Sequence, residues 1–468
     1  MLAPLKLQDE SALAGAGGVM LRHQNYLTYF GRAVKCGLHK VGRLAQSVRA
    51  PSSHGGGHWF DPSTAHHDPP AAGQGVFIFP DHFSLTSVDS LSRLQFNRVS
   101  HCMQGSSAIG RSMEAGQSGS VTERVRRIGE RVLAGDTMTF DTAAELFERS
   151  DYDVHELFHV ANRLRLNQFG NRIHLCSIIN AKSGTCLEDC SFCSQSAYHA
   201  TRIPSYGVVS PDEMVGAARK ARTDGASALG VVTAGRGYAA ASADFHQLVE
   251  GIRAIAQDGW VEGHASLGIM GDEEFRQLKV AGLTTFNHNL ETGRSFFPKI
   301  CTTHTYDERV STIKAAKAAG IRACSGGIIG MGEEPTHRAE LAFALKDLDV
   351  DEVPLNFLIS VEGTQLEKAT PLSPLEMLKV IALFRWILPT KNIFICAGRA
   401  HLGELQSMIF FAGASGMMVG DFLTTRNRSV SDDLKMVRDL GLDFGGSLFA
   451  PERQSATAST SLTTGAAL

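Results

Sequence analysis

The chain has 468 residues, 43% of them hydrophobic, which is enough apolar material for a sizeable core. Its net charge of −3 gives no indication of nucleic acid or an anionic membrane as a partner. No stretch is apolar over the length that a bilayer requires, so we expect no membrane association. Nine cysteines are too few, and odd in number, for a disulfide framework, and thiols suit a reducing interior such as the cytoplasm.

The first part of the chain differs in composition from the rest. Residues 11–60 include six lysines or arginines and no acidic residue, a composition typical of a transit peptide. Residues 42–63, however, are similar to a transfer-RNA gene translated in frame, which would place the true start near Met103 or Met113. We therefore expect residues 1–112 to be a non-native or disordered extension.

The remaining chain is predicted to be one globular domain with helices before it and a tail after it. Residues 113–170 are expected to form N-terminal helices over Val121–Leu133 and Thr142–Leu166, because apolar residues recur there at three- and four-residue steps. In residues 171–445, strand-like and helical patterns alternate strictly. Residues 446–468 are expected to be a disordered tail.

The alternation comprises eight predicted strands and eight predicted helices, and glycine often follows a helix, as expected at its C-terminal end. The predicted strands are Ile173–Asn180, Ala228–Thr233, Val261–Gly268, Thr285–Leu290, Ala323–Ile329, Val353–Ile359, Ile393–Ala397 and Gly416–Val419. The predicted helices are Asp212–Thr223, Phe245–Gln257, Glu273–Val280, Asp307–Ala319, Thr336–Leu348, Pro374–Leu388, Glu404–Phe411 and Asp432–Leu440. Eight such units predict an α/β fold, a single-domain (β/α)8 TIM-type barrel. An open doubly wound sheet is the alternative, but it usually has fewer units.

Three cysteines follow the first predicted strand within eight residues. Cys186, Cys190 and Cys193 have the spacing C-x3-C-x2-C, so their thiolates can hold three corners of an iron–sulfur cube and leave one iron open. A structural zinc site would need a fourth ligand, and His199 does not lie at a familiar spacing. Phe192 directly before the last cysteine matches the radical-SAM pattern. We therefore predict a [4Fe–4S] cluster that binds S-adenosylmethionine (SAM).

Other polar residues also lie at the ends of predicted strands, where a (β/α)8 barrel places its active site. They are found in Asn287–Thr292 after the fourth strand, at Cys324 in the fifth, at Asn356 in the sixth and in Cys396–Arg399 at the seventh. A polar side chain among apolar strand residues costs free energy unless it is paired. One such residue can be a hydrogen-bonded core group, but several together indicate a ligand.

These segments together resemble the biotin synthase family, over about residues 142–443. The resemblance implies a radical-SAM barrel that inserts sulfur into dethiobiotin to form biotin. It also implies a homodimer, an electron donor such as flavodoxin or ferredoxin, and a second cluster deep in the barrel that gives up its sulfur. In the family that auxiliary cluster is a [2Fe–2S] cluster.

The resemblance also assigns site residues, and it implies no catalytic side chain beyond the cofactors. The triad cluster would reduce SAM, and the resulting 5′-deoxyadenosyl radical would take hydrogen from dethiobiotin. Asn287, Asn289 and Glu291 would face SAM and the substrate, with Asn289 contacting both. Arg309 would reach SAM, and Asn356 would bond the ureido ring. Glu291 replaces the family's usual aspartate but keeps a carboxylate for a ribose hydroxyl.

The auxiliary cluster is where this sequence departs from the family's pattern. The best-known members use three cysteines and an arginine as ligands. Cys324 and Arg399 match two of those positions, but Gly230 and His264 occupy the other two. Glycine has no side chain to bind iron, so the ligand set must differ.

Two further strand cysteines offer replacements. Cys176, His264, Cys324 and Cys396 lie on the first, third, fifth and seventh predicted strands, and alternate strands of a barrel build one interior layer. We predict an auxiliary cluster of a different type held by the three cysteines, with His264 and Arg399 nearby. The alternative is that Cys176 and Cys396 are packing residues.

Other functions remain open at this point. Another radical-SAM barrel of the same type, such as a hydrogenase-cofactor maturase or an amino-acid mutase, is one alternative. A non-catalytic iron–sulfur electron carrier is another, and cleavage of SAM to 5′-deoxyadenosine would distinguish an enzyme from a carrier. Cys301, in a surface-like Ile-Cys-Thr-Thr segment, is expected to be structural.

Overall fold

The structure is a computed structural model, and it describes residues 19–23, 26–30, 120–446 and 448. The chain divides into two compact units, 1–98 and 99–468. In the first unit, Val19–His23 and Tyr26–Phe30 pair as an antiparallel hairpin, where the sequence pattern had predicted no strand. The expected disorder of the rest of residues 1–112 and of most of the C-terminal tail concerns residues outside those described.

Three helices open the second unit. They are α1 (Val121–Leu133), α2 (Phe140–Glu148) and α3 (Val154–Phe169). The prediction of a single helix from 142 to 166 was wrong, because α2 and α3 are separate helices. Asp153 lies between them in an extended conformation and accepts a hydrogen bond from the backbone N–H of His155 at 2.9 Å, which starts α3 as an N-cap.

Eight parallel strands follow and close into a barrel. Each strand pairs in parallel with its neighbour in the chain, and β8 pairs with β1. The strands are β1 (His174–Lys182), β2 (Ala228–Thr233), β3 (Glu262–Ser266), β4 (Thr285–Asn287), β5 (Arg322–Cys324), β6 (Glu352–Phe357), β7 (Asn392–Ile395) and β8 (Gly416–Met418). The prediction of a (β/α)8 barrel is confirmed.

The helices that cover the barrel begin and end within a few residues of their predicted positions. They are α4 (Pro211–Thr223), α5 (Ala243–Asp258), α6 (Asp272–Val280), α7 (Tyr306–Ala318), α8 (Pro335–Asp347), α9 (Pro374–Ile387), α10 (Met408–Phe411) and α11 (Val430–Asp439). Before α10, residues Arg399–Leu405 form a 3-10 turn instead of the start of a longer α-helix. None of the described helices combines the length and the apolarity needed to cross a membrane.

One predicted strand is interrupted for a steric reason. The predicted strand 323–329 is two segments, β5 and Gly327–Ile329, and the second pairs with β6. A Cβ atom on Gly326 would lie 1.9 Å from the carbonyl oxygen of Pro354, and one on Gly327 would lie 2.3 Å from that of Glu291. Two glycines are needed because the chain passes so close to its neighbours here.

A buried ion pair fixes the turn after β7 to α11. Arg399 donates to both carboxylate oxygens of Asp433, at 2.9 and 2.6 Å, and neither side chain is exposed to solvent. Asp433 thus supplies the counter-charge for the Arg399 guanidinium, which would be costly to bury alone.

Removing that counter-charge is expected to destabilise the barrel strongly. The substitution Asp433→Ala leaves the Arg399 guanidinium buried without its counter-charge, so the free energy of unfolding should fall by about 3–5 kcal/mol. Urea denaturation measures the change. The control is Asp439→Ala on the same helix, whose pairing with Lys435 is exposed and should contribute less than about 1 kcal/mol. Equal effects of the two substitutions would contradict the prediction.

Candidate active site

A cavity of about 420 Å³ opens among the carboxyl ends of the strands, and every barrel strand contributes to its wall. One wall residue from each strand, in order from β1 to β8, is Cys176, Gly230, His264, Asn287, Cys324, Asn356, Phe394 and Met418. All of the predicted site residues except Arg399 line it. The predicted residues therefore lie together, at the face where barrel enzymes place their active sites.

The cysteine triad lies in a loop whose two ends are tied together. The backbone N–H of Cys186 donates to the carbonyl of Gln195 at 3.0 Å, and the N–H of Ala197 donates to the carbonyl of Cys186 at 2.7 Å. Thr185, just before the triad, has a left-handed φ of 52°. This closed loop turns Cys186, Cys190 and Cys193 toward one cavity.

Two acidic residues between the first two cysteines dock the loop onto residues 302–304. Asp189 accepts from the backbone N–H groups of Thr302 and Thr303, at 2.9 and 3.2 Å. Glu188 accepts from the Thr303 hydroxyl at 2.6 Å and contacts His304. Burial would raise the pKa of Glu188, but hydrogen bonds from Thr303, His304 and Arg236 lower it, so this carboxylate stays charged. The sequence analysis missed these supporting residues.

Cys301 corrects one expectation from the sequence. It was predicted to lie in a surface-like segment, but it is 4% exposed, and its Sγ lies 3.8 Å from Sγ of Cys190. Cys301 is not among the residues that line the cavity. The sequence offered one sign of this contact. In the run Cys-Thr-Thr-His at 301–304, a cysteine and a histidine three residues apart can interact with each other.

The predicted SAM-binding residues form a connected network. Asn287 donates to Oδ1 of Asn289 at 3.2 Å, and Arg309 donates to the backbone carbonyl of Asn289 at 2.8 Å. Arg309 also reaches Oε1 of Glu291 at 3.4 Å. The second carboxylate oxygen of Glu291 is buried without a partner, which makes it available to a ligand hydroxyl. Burial raises the pKa of this carboxyl.

Glu291 is held in place by its backbone. Its φ of 69° is in the left-handed region, which is uncommon for a residue with a side chain. Its N–H donates to Gly326 and its carbonyl accepts from Ile328, at 3.1 and 2.8 Å. The close approach of the two glycines after β5 therefore sets the direction of the Glu291 carboxylate.

Asn356, in β6, bonds to the chain on both sides of its strand and retains hydrogen-bonding capacity. Its Nδ2 donates to the Gly327 carbonyl at 3.3 Å, and its Oδ1 accepts from the Ala397 N–H at 3.1 Å. A side-chain amide has two donors and two acceptor positions, so one of each remains for a ligand. Its place in the cavity wall suits the predicted contact with a cyclic urea.

The three strand cysteines come together inside the barrel. Cys176, Cys324 and Cys396 belong to one buried cluster with Ala228 and Phe394. Burial raises the pKa of each thiol well above its ordinary value, and each also responds to the charge of another thiol of the set. A metal would therefore have to displace their protons to bind.

One compact group of potential metal ligands includes a cysteine of the triad. Among the described residues, one group of three potential metal ligands has all its ligand atoms within 4.8 Å of one another, and it is Cys190, Cys301 and His304. The loop triad and the three strand cysteines each include a pair of sulfurs farther apart than 4.8 Å. A cluster allows such a separation, because thiolates on separate irons lie roughly 6–7 Å apart.

His264 and Arg399, the two other residues predicted near the auxiliary site, differ in their surroundings. His264 lines the cavity, and its ring stacks at 6.3 Å on that of His174. Arg399 is outside the cavity wall, and its guanidinium is bound to Asp433. Arg399 was predicted as a possible ligand from the family's pattern, but a guanidinium committed to a buried carboxylate is poorly placed to bind iron. It remains near Cys396 as a positive charge.

Comparison with known families divides the barrel into two matched regions. Residues 181–345 match the Radical SAM superfamily, and residues 354–443 match the Biotin and Thiamin Synthesis associated domain. The first region contains the triad and the SAM network, and the second contains Asn356 and Cys396.

Individual proteins match over the same part of the chain. Biotin synthase of Citrifermentans bemidjiense is 47% identical over 319 residues, which cover 68% of this chain and 97% of that protein. Biotin synthase of Pelobacter propionicus is 49% identical over 318 residues, with the same coverage of 68% and 97%.

Solved structures agree in fold. Methylornithine synthase superposes with a TM-score of 0.59 at 20% identity, covering 68% of this chain and 96% of that one. An [FeFe]-hydrogenase maturase superposes with a TM-score of 0.60 at 17% identity, covering 69% and 75%. At these identities the likeness shows the fold alone, so it does not favour a maturase function.

Proposed function

Because this chain belongs to the biotin synthase family of radical SAM enzymes, we propose that it uses SAM to insert sulfur into dethiobiotin and so forms biotin. The observation that carries the proposal is the presence of two cysteine sets, from the loop and from the strands, in the wall of one cavity. An iron–sulfur carrier needs one set of ligands for each cluster but no shared cavity between them. Two sets that face a common cavity suit a reaction in which one cluster starts the chemistry and another ends it.

We propose that Cys186, Cys190 and Cys193 hold a [4Fe–4S] cluster with one iron open to SAM. The three thiols line one cavity, and Cys301, which contacts Cys190, is not among the lining residues. When bound, this cluster supplies the electron that cleaves SAM, and the auxiliary cluster supplies the sulfur atom. Each cleavage consumes one electron, so we also propose a one-electron donor such as flavodoxin or ferredoxin.

We propose that Cys176, Cys324 and Cys396 hold the auxiliary cluster, and that its type differs from the family's [2Fe–2S] cluster. The support is their packing in one buried group and their place in the wall of the cavity. Asn287 donates to Sγ of Cys324 at 3.3 Å and thereby links this group to the SAM network. Mössbauer spectra with iron and sulfide analysis of the anaerobically reconstituted protein would give its type.

The remaining polar groups bind and orient the two substrates. Asn287, Asn289, Glu291 and Arg309 would hold SAM, with the free oxygen of Glu291 accepting from a ribose hydroxyl. Asn289 and Asn356 would hold dethiobiotin through its ureido ring. Their fixed hydrogen bonds leave little freedom at the site, which favours a defined geometry between the two substrates.

The Glu291 carboxylate is expected to contribute a charged hydrogen bond to SAM binding. Aspartate and asparagine both tolerate a left-handed φ, so Glu291→Asp and Glu291→Asn form a pair of equal size, in which asparagine lacks the charge and replaces one acceptor oxygen with an NH2 donor. Glu291→Asn should raise the dissociation constant of SAM about 10-fold or more, whereas Glu291→Asp should stay close to the parent, because a hydrogen bond to a charged group contributes about 1.5–3 kcal/mol. Calorimetric titration measures both, and equal affinities would contradict the assignment.

The function itself is tested by product analysis. The reconstituted chain with SAM, dethiobiotin and a low-potential reductant should yield biotin and 5′-deoxyadenosine, both measured by mass spectrometry. Formation of 5′-deoxyadenosine without biotin would favour another radical-SAM reaction. Absence of both would contradict the proposal.

Two further properties are proposed from family membership. We propose a homodimer, which light scattering of the reconstituted protein would test. We also propose that the enzyme works in the cytoplasm, since the described cysteines are all unpaired, as expected in a reducing compartment.

A further inference from the structure

The proposed cluster ligand Cys190 has a buried sulfur neighbour that no role described above requires. Sγ of Cys190 donates a hydrogen bond to Sγ of Cys301 at 3.8 Å, a distance within the range for two sulfur atoms. Cys301 is not part of the cavity wall, and the separation is too short for two ligands on different irons, which lie roughly 6–7 Å apart. Each iron of a cube accepts one thiolate besides its sulfides, so Cys190 and Cys301 cannot share an iron, and Cys301 touches the ligand and not the cluster.

The other partners of Cys301 determine where its proton can go. Nε2 of His304 accepts a hydrogen bond from Nε of Arg309 at 2.9 Å, and a guanidinium can only donate. The proton of a neutral imidazole is thus on Nδ1, which faces the carboxylate of Glu188 and lies 3.3 Å from Sγ of Cys301. His304 is a donor on that side and cannot accept the thiol proton of Cys301.

The remaining neighbour of Cys301 is a weaker candidate as acceptor. The hydroxyl oxygen of Thr303 lies 3.6 Å from Sγ of Cys301, and it donates its own proton to Glu188 at 2.6 Å. A thiolate of Cys190 bound to iron carries negative charge and no proton, so it is the stronger acceptor. Binding of iron at Cys190 therefore reverses the direction of this hydrogen bond, and the thiol of Cys301 then has one favourable direction, toward Cys190.

The same contacts disfavour a single metal ion in this place, although Cys190, Cys301 and His304 lie close enough together. An ion bound at Nδ1 of His304 would shift the ring proton to Nε2, where it would face the N–H of Arg309. An ion bound at Nε2 would displace Arg309. The buried donors and acceptors around His304 are arranged for hydrogen bonds.

We propose that Cys301 donates an S–H···S hydrogen bond to the iron-bound thiolate of Cys190 and thereby raises the reduction potential of the triad cluster. Reduction adds an electron to the cluster, and a hydrogen bond to a ligand sulfur stabilises that added charge. Cys301 is a positioning residue that acts through Cys190, held in turn by Thr303, His304 and Glu188. The inference rests on the proposed function, since it requires a cluster at the triad.

The test is a redox titration of the full chain, reconstituted anaerobically and monitored by EPR. The variant Cys324→Ala serves as the background, because it removes the proposed auxiliary ligand and leaves one cluster to observe. Cys301→Ala removes the donor and should shift the midpoint potential to more negative values, with unchanged iron content and thermal melting. Cys301→Ser keeps a donor at the same position and should restore most of the shift.

The outcomes separate this inference from the proposed function. An unchanged potential in Cys301→Ala, with an intact cluster signal, would overturn the hydrogen bond alone. Loss of iron in Cys301→Ala would show that Cys301 is a ligand and would also overturn it. A parent protein without any [4Fe–4S] signal would overturn both the hydrogen bond and the proposed function. A negative shift in Cys301→Ala that serine reverses would support the inference.

Discussion

Replacing Cys190 with alanine is expected to reduce SAM cleavage to background. Two thiolates hold an iron–sulfur cube poorly, so the variant should lose the cluster that grips and reduces SAM. Cys186→Ala and Cys193→Ala should have the same effect, since the closed loop turns all three thiols to one cavity. The measurement is 5′-deoxyadenosine yield after reconstitution, together with the iron content of the protein.

Cys301→Ala is the matched control for the triad. It removes a buried cysteine 3.8 Å from Cys190 without removing a proposed ligand. Iron content should therefore stay at the parent value in this variant, while it falls in the three triad variants. A normal yield of 5′-deoxyadenosine from any triad variant would show that the radical SAM assignment of these residues is wrong.

Replacing Cys324 with alanine is expected to separate the two halves of the reaction. SAM cleavage should persist, because the triad is intact, and biotin formation should be lost, because the proposed sulfur donor would lose a ligand. The packing of Cys324 with Cys176 and Cys396 inside the barrel is the reason to expect so specific a loss. Both products are measured in the same reaction, and the same result is expected from Cys176→Ala and Cys396→Ala.

Ser325→Ala is the control for the auxiliary site. Ser325 follows Cys324 directly, is fully buried, and its hydroxyl has no hydrogen-bond partner, so alanine should replace it at little cost. Biotin formation should be unaffected. Full biotin yield from Cys324→Ala would instead show that the sulfur comes from elsewhere.

Local sequence patterns were sufficient to predict the barrel because each strand and helix has its own periodicity and its own stop signals. Gly225, Gly282 and Gly320, for example, follow helices and adopt the positive φ expected at that position. The predicted element boundaries were wrong where a tertiary contact determines the local structure. The break after β5 depends on the carbonyls of Pro354 and Glu291, which approach from elsewhere in the chain and leave no periodic signal.

The candidate site was predictable where one residue type carries the chemistry. Cysteine spacing located the triad, and alternate-strand geometry placed three further cysteines in one buried group. The side chains that these residues contact in the fold were not predictable. Nothing in the sequence indicates that Arg399 pairs with Asp433, or that Cys301 packs against Cys190 across more than a hundred residues of chain.

Below the cavity shared by the two cysteine sets, buried polar side chains occupy the amino ends of three strands. His174, Glu352 and Asn392 are buried at the amino ends of their strands, and Glu352 accepts from Asn392 at 3.1 Å. We therefore expect iron and sulfide for the proposed inner site to enter through the mouth of the cavity, the route that SAM would also take. Rebuilding of the auxiliary cluster and binding of the substrates would then use the same entrance. We therefore expect bound SAM and dethiobiotin to slow regeneration of the enzyme.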